Sequence, residues 1–179
     1  MDVSEKKLSS ELKLKGIIVN VYHDKAQLCD GRVVGREVVE HPGGVTILPV
    51  DENGICYMVQ QYRYPMQELM LEAPAGKLEP GEDPMECAVR ELSEETGFTA
   101  DEMIDLGAYA TSPGYSTEVL HIYLARGLHA GEMHLDEGEF LNLKKVSLNE
   151  LVQMVMNNEL SDAKTVIAVL KAKALLEQA

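Results

Sequence analysis

Hydrophobic and polar positions change period several times along the chain, and each change predicts an element. From Gly16 to Val39 the β-rich runs "IIVNVYH", "AQLCD" and "RVVGREVVEH" are separated by Asp-Lys and Asp-Gly turn signals, which predicts a short antiparallel meander. "HPGG" at 41–44 interrupts the pattern and marks a boundary between an N-terminal β lobe, residues 1–42, and a larger domain, residues 43–179. Beyond it, "VTILPV" and "ICYMVQQYR" flank "DENG", whose Asn53-Gly54 pair suits a tight hairpin turn, and "ELMLEAPAG" reads as a further strand.

The strongest helix signal runs from Pro84 to Thr96. Asp83 can cap it, Pro84 fits its first position, Glu86 follows three residues after the cap, and Gly97 can close it in the left-handed conformation. Met85, Ala88, Val89 and Leu92 form its apolar stripe. Strands are expected near Leu106–Thr111, Val119–Ala125 and Phe140–Val146. Two C-terminal helices, about Leu148–Asn157 and Asp162–Leu176, complete the series, the first with Ser147 and Glu150 spaced as a capping box.

Composition narrows the function. With 179 residues, 45% of them hydrophobic, the chain can bury an ordinary core. A formal net charge of −14 argues against tracking nucleic-acid phosphates, which needs clustered Lys and Arg. The charged N-terminus lacks the apolar core of a secretion signal, and no stretch approaches the roughly 18 apolar residues of a membrane span. A soluble cytoplasmic protein without membrane or nucleic-acid partners is therefore expected. Cys29, Cys56 and Cys87 show no C-x-x-C spacing and read as small buried hydrophobes.

One segment is unusually acidic for its length. At 100° per residue, Glu91, Glu94 and Glu95 stand at i, i+3 and i+4, so three carboxylates share one side of the helix, within reach of a common point. Like charges so placed repel, and a hard divalent cation such as Mg²⁺, which binds through carboxylates and substrate phosphates, would account for the crowding. The bland alternative is a solvated face on which Arg90 pairs with Glu86 and Glu94. Context favours the metal. Gly76, five residues, Glu82, seven residues, Arg90-Glu91-Leu92, one residue, Glu94-Glu95, one residue, Gly97-Phe98 matches the Nudix box at all nine specified positions over twenty-three residues.

The resemblance reaches beyond the box. "HPGGVTILPV", "QQYRYP", "LEAPAGKLEPGEDP", "SPG" at 112–114, "DEGEF" at 136–140 and "DAKT" at 162–165 are all similar to the ADP-ribose pyrophosphatase branch of that family. It implies an α/β (α+β) fold, a Nudix α/β/α sandwich with a mixed sheet behind a small antiparallel β lobe. It also implies hydrolysis of the pyrophosphate of ADP-ribose to AMP and ribose 5-phosphate. By resemblance the Ala75 carbonyl, Glu91 and Glu95 would hold two or more Mg²⁺ or Mn²⁺ ions, with Glu94 as an additional ligand, while Glu82 and Arg90 would be structural. "GEF" points to Glu139 as general base, with Glu137 its near rival. Arg63 is the candidate phosphate contact, since a guanidinium offers paired donors. Glu72 is a candidate contact on the ribose side, and Gly114 lies in a segment that could close over the substrate. No Trp is present, so any stacking on the base would use Tyr or Phe. The branch exchanges its N-terminal lobe in a homodimer, which implies the same here. Two readings stay open beside this one: another nucleoside diphosphate derivative as substrate, or a Nudix-fold module that binds ADP-ribose without cleaving it.

Overall fold

In the computed structural model, residues 2–136 and 138–178 are described, and among them run ten strands and three helices. They fall into two compact units, one of Met1–Gly43 with Ala110–Val119, the other of Gly44–Tyr109 with Leu120–Ala179.

The first unit is built on a three-stranded antiparallel sheet: β1 (Lys6–Lys15), β2 (Asn20–Gln27) and β3 (Val33–Glu40), with β2 central. It differs from the expected meander in two ways. β1 occupies "KKLSSELKLK", whose ten residues are all exposed, so it carries no strong apolar signature. And β2 runs straight through Asp24-Lys25, the expected turn. The reason is cross-strand pairing: the Asp24 carboxylate accepts from the Ser10 hydroxyl at 2.5 Å and pairs with Lys7 at 2.7 Å, both on β1, which satisfies a polar group that would otherwise favour a turn. The second turn signal does form a turn, with Gly31 at φ +88°. The segment 110–119 joins this unit through β3, where the Val39 N–H donates to the Tyr115 carbonyl at 2.7 Å and the Thr117 N–H to the Val39 carbonyl at 3.0 Å.

In the second unit, β4 (Gly44–Pro49) is buried at every residue, as a continuous apolar run predicts for a strand covered on both faces. It lies between β7 (Ala75–Lys77), antiparallel, and β9 (Val119–Ala130), parallel, with β8 (Phe98–Ala110) beyond β9. A second sheet holds β10 (Leu141–Ser147), β5 (Ile55–Arg63) and β6 (Glu68–Glu72), all antiparallel. The "DENG" turn is formed, with Asp51 accepting from the Asn53 and Ile55 N–H groups. Beyond the turn, where the Asp51 N–H donates to the Ile55 carbonyl at 2.9 Å and Val50 bridges Cys56, the flanking strands part into different sheets. Strand alternation then creates two cores. Leu48 of β4, Val50 just after it, and Ile122 and Leu124 of β9 pack with α2 (Leu148–Met156) and α3 (Ala163–Leu176); Val45, Ile47, Tyr123 and Ala125 pack with α1 (Pro84–Thr96). The result is a helix–sheet–helix sandwich with mixed strands. No helix among the described residues is long and apolar enough to cross a membrane.

Candidate active site

The sequence dictates α1 at both ends. The Asp83 carboxylate accepts from the Met85 N–H at 2.8 Å, Pro84 needs no partner at the first position, and Gly97 closes the helix at φ +72°. Ala88 and Leu92 are buried, as expected; Val89 is 47% exposed, and Cys87 takes the buried place instead. Of the three cysteines, Cys56 and Cys87 are buried and Cys29 is exposed, against expectation.

The opposite face of α1 meets β7. Glu95 is 4% exposed, and one carboxylate oxygen accepts from the Ala75 N–H at 2.8 Å. Gly76 lies beside it: a Cβ there would sit 1.9 Å from the Glu91 carboxylate, so the Glu91 side chain keeps this position only opposite a glycine. Arg90 arranges the rest. Its Nε and Nη2 donate to the two oxygens of Glu82 at 2.9 and 3.1 Å, and its Nη1 donates to Glu91 at 2.7 Å and Glu94 at 2.8 Å. Glu82 also accepts from the Glu79 N–H, which pins the loop to the helix. Arg90 holds the Glu82 carboxyl down at about 2.

Glu91 and Glu95 both shift the opposite way from Glu82. Burial pushes the Glu95 carboxyl up to about 8, the Ala75 N–H opposing and the charges of Glu91 and Glu139 adding to the rise. Burial also raises Glu91, Arg90 opposing, with Glu94 and Glu139 adding. Glu139 therefore lies within electrostatic reach of both, on an exposed loop where its N–H donates to the Asp136 carbonyl at 3.0 Å. Upstream, the His134 N–H donates to the Glu94 carbonyl at 3.1 Å and ties that stretch to α1. Glu137 lies outside the described residues.

Among the described residues, no three His, Cys, Asp or Glu side chains are gathered into a metal-holding group, and Arg90 spans Glu91 and Glu94 instead. The donor set nevertheless fits a hard divalent cation. It is all oxygen, burial raises both Glu91 and Glu95, Glu95 has the Ala75 N–H rather than a cation beside it, and Gly76 presents no side chain where it faces Glu91.

A second polar cluster borders the first. Arg63, at the end of β5, donates to both oxygens of Glu72 at 2.7 Å each, and Arg63 lies close enough to Glu95 for each to feel the other's charge. Glu72 is 1% exposed, and Lys164 donates to it as well. The carboxylate expected on the ribose side thus has both oxygens engaged and no open face of its own. Lys164 and Thr165 were not singled out by sequence reasoning; the only signal was the "DAKT" similarity, which named no role. Gly114 belongs to the first unit, where nothing stands within 4 Å of a Cβ placed on it.

Comparisons with known proteins find relatives that span most of the chain. The chain is 42% identical to the Methanol dehydrogenase activator of Bacillus methanolicus, over 92% of this chain and 90% of that one. It is 40% identical to the ADP-ribose pyrophosphatase of Bacillus subtilis (strain 168), over 93% and 91%. The crystal structure of an ADP compounds hydrolase matches the fold with a TM-score of 0.87 at 22% identity, covering 99% of this chain and 97% of that one. A NUDIX domain profile matches residues 40–168, and with its acidic helix and glycine cradle in place the chain belongs to the Nudix hydrolases, a family of divalent-metal-dependent enzymes.

Proposed function

We propose that this protein hydrolyses the pyrophosphate bond of ADP-ribose and related ADP-sugars, giving AMP and ribose 5-phosphate. The observation that carries the reading is the acidic face of α1 against Ala75 and Gly76, where Glu95 is buried on the Ala75 N–H and Glu91 lies beside Gly76, with Glu139 in electrostatic reach of both and Arg63 of Glu95. The 40% identical ADP-ribose pyrophosphatase directs the choice of substrate. Ala75 through its carbonyl, with Glu91, Glu94 and Glu95, would hold two or more Mg²⁺ or Mn²⁺ ions. When bound, such ions neutralise the phosphoryl oxygens and acidify water.

The chain's own residues do the rest. Arg63 presents guanidinium donors to a phosphate oxygen and so orients the diphosphate. Glu139 accepts the proton of the attacking water as its oxygen bonds to phosphorus and the bridging P–O bond breaks. Its exposed loop allows it to settle once substrate is bound. Glu82 and Arg90 keep loop and helix in register. Gly114 would let its segment approach the ligand closely, since it carries no side chain.

The lobe of residues 1–42 serves dimerisation. A three-stranded sheet is marginal alone, and Leu8, Leu12 and Leu14 on β1 are about half exposed, which suits a two-fold contact with a second copy. Light scattering checks the stoichiometry; deleting residues 1–40 should give a monomer with weakened ADP-ribose binding. A full-length monomer of normal activity would sink this part. The free thiols of Cys29, Cys56 and Cys87 fit a cytoplasmic location.

The deciding experiment is a panel of nucleoside diphosphate sugars and dinucleotides assayed with Mg²⁺, with products identified. AMP and ribose 5-phosphate formed fastest from ADP-ribose supports the reading. Preference for another member reassigns the substrate, and tight ADP-ribose binding without turnover would make the protein a sensor.

A further inference from the structure

The first turn of α3 lies apart from the acidic helix, yet its side chains end on the segment that leads into the site. Asp162 caps α3, accepting from the Thr165 N–H at 3.0 Å and the Thr165 hydroxyl at 2.5 Å. With its proton so committed, that hydroxyl turns its oxygen to the buried Ala73 N–H, which donates to it at 2.8 Å. Lys164, with a side chain 11% exposed, donates to Glu72 and pairs with Asp162 at 2.9 Å. Glu72 in turn fixes the Arg63 guanidinium in a two-pronged pair. The following residues are tied as well: the Pro74 carbonyl accepts from the Ile47 N–H at 2.8 Å, and the Ala75 N–H donates to Glu95. From Glu72 to Ala75 every residue has a fixed partner, on β5 and α3 for the first two, then β4, then α1.

We propose that Lys164 and Thr165 are positioning residues for hydrolysis. Thr165 sets the place of the Ala75 carbonyl by holding Ala73, and Lys164 sets the place of Arg63 by holding the Glu72 Oε2 that the guanidinium Nη2 also uses. The inference rests on the reading that Ala75 serves the metal and Arg63 the phosphate. Its physical basis is that metal and phosphate sites tolerate about 0.5 Å of misplacement, and supporting hydrogen bonds supply that precision. Glu72 then serves the substrate through Arg63 rather than by touching it, which explains a carboxylate with no free oxygen beside a binding cleft.

The test compares Thr165→Val with Thr165→Ser, and Lys164→Met with Lys164→Arg, in the full-length protein. Three quantities are read: thermal unfolding, Mn²⁺ affinity from the electron paramagnetic resonance signal of free Mn²⁺ without nucleotide, and KM and kcat for ADP-ribose. Thr165→Val should weaken Mn²⁺ binding about tenfold, with Thr165→Ser restoring most of it. Lys164→Met should raise the KM about tenfold while changing Mn²⁺ affinity much less, and Lys164→Arg should recover part of the loss. Lower unfolding temperatures with Mn²⁺ affinity and KM unchanged in both Thr165→Val and Lys164→Met would overturn the proposal and leave a purely structural knot. If Thr165→Val fails to fold, the Lys164 pair decides alone. If the wild type binds Mn²⁺ but leaves ADP-ribose intact, the substrate reading has failed, and the Mn²⁺ measurements on the Thr165 pair still decide this one.

Discussion

Glu72 and Glu95 are buried to nearly the same degree, 1% and 4% exposed, and they titrate in opposite directions. Burial works to raise both. At Glu72, Arg63 and Lys164 overcome it and hold the carboxyl below its ordinary value. At Glu95 a single backbone N–H and the more distant Arg63 do not, and the neighbouring Glu91 and Glu139 make matters worse. A buried carboxylate costs free energy unless it is paired. Glu72 is a finished ion pair. Glu95 has one backbone N–H as its partner, and that contrast is why we propose it, and not Glu72, as a metal ligand.

The contrast breaks most visibly under substitution. Glu95→Gln should cut kcat by about a thousandfold or more, since it removes ligand charge where metal electrostatics does the chemistry, while leaving the metal-free protein as stable as before or more so. Glu91→Gln should act alike. If both variants hydrolyse ADP-ribose at wild-type rates with unchanged metal dependence, the ligand assignment is wrong. Glu139→Gln should lower the rate by roughly 10²- to 10⁴-fold, the span of a lost general base, with little change in metal affinity. Glu137→Gln is the comparison, and a larger loss there would move the role to Glu137.

Metal itself sharpens the contrast further. Mg²⁺ at a hundred times its Kd should stabilise the wild type by about 2.7 kcal/mol in thermal or denaturant unfolding, and chelator should remove both this gain and the activity. The shift should persist in Glu72→Gln and vanish in Glu95→Gln; an equal shift in both would erase the distinction between the two carboxylates. Glu72→Gln should instead destabilise the metal-free protein by about 2 kcal/mol, below the roughly 3–5 kcal/mol for breaking a fully buried pair because the Arg63 side chain is 38% exposed. Since the folded Glu72 carboxyl lies below its ordinary 4.5, its contribution is complete above that value and fades as pH falls through the lower folded value. The stability gap between wild type and Glu72→Gln should therefore narrow only in acid, and a gap unchanged down to full protonation would refute the ionised pair.

What the chain discloses by itself follows from the range of the interactions. α1 is legible to the residue, because its caps and its carboxylate spacing are local. β4 is legible as a strand but not as to its partners: a good turn at 51–54 suggests a hairpin, and only packing shows that β5 turns away. β1 is hidden because its stability comes from Lys7 and Ser10 meeting Asp24 on the next strand rather than from burial of its own side chains. The pairing of Glu72 is hidden for a similar reason, since the lysine that donates to it lies 92 residues downstream. Acidic clusters announce themselves in sequence, whereas the cations that settle some of them do not.

The parallel pairing of β4 with β9 also bears on how the protein comes into being. Gly44 faces Leu120 in that ladder, so the apolar segment "VTILPV" leaves the ribosome long before its partner strand exists. At roughly 5–20 residues per second the delay amounts to seconds, during which an apolar stretch lacks its parallel neighbour on the nascent chain. Pairings this distant also slow folding after release. Chaperone engagement during synthesis should therefore centre on this one strand.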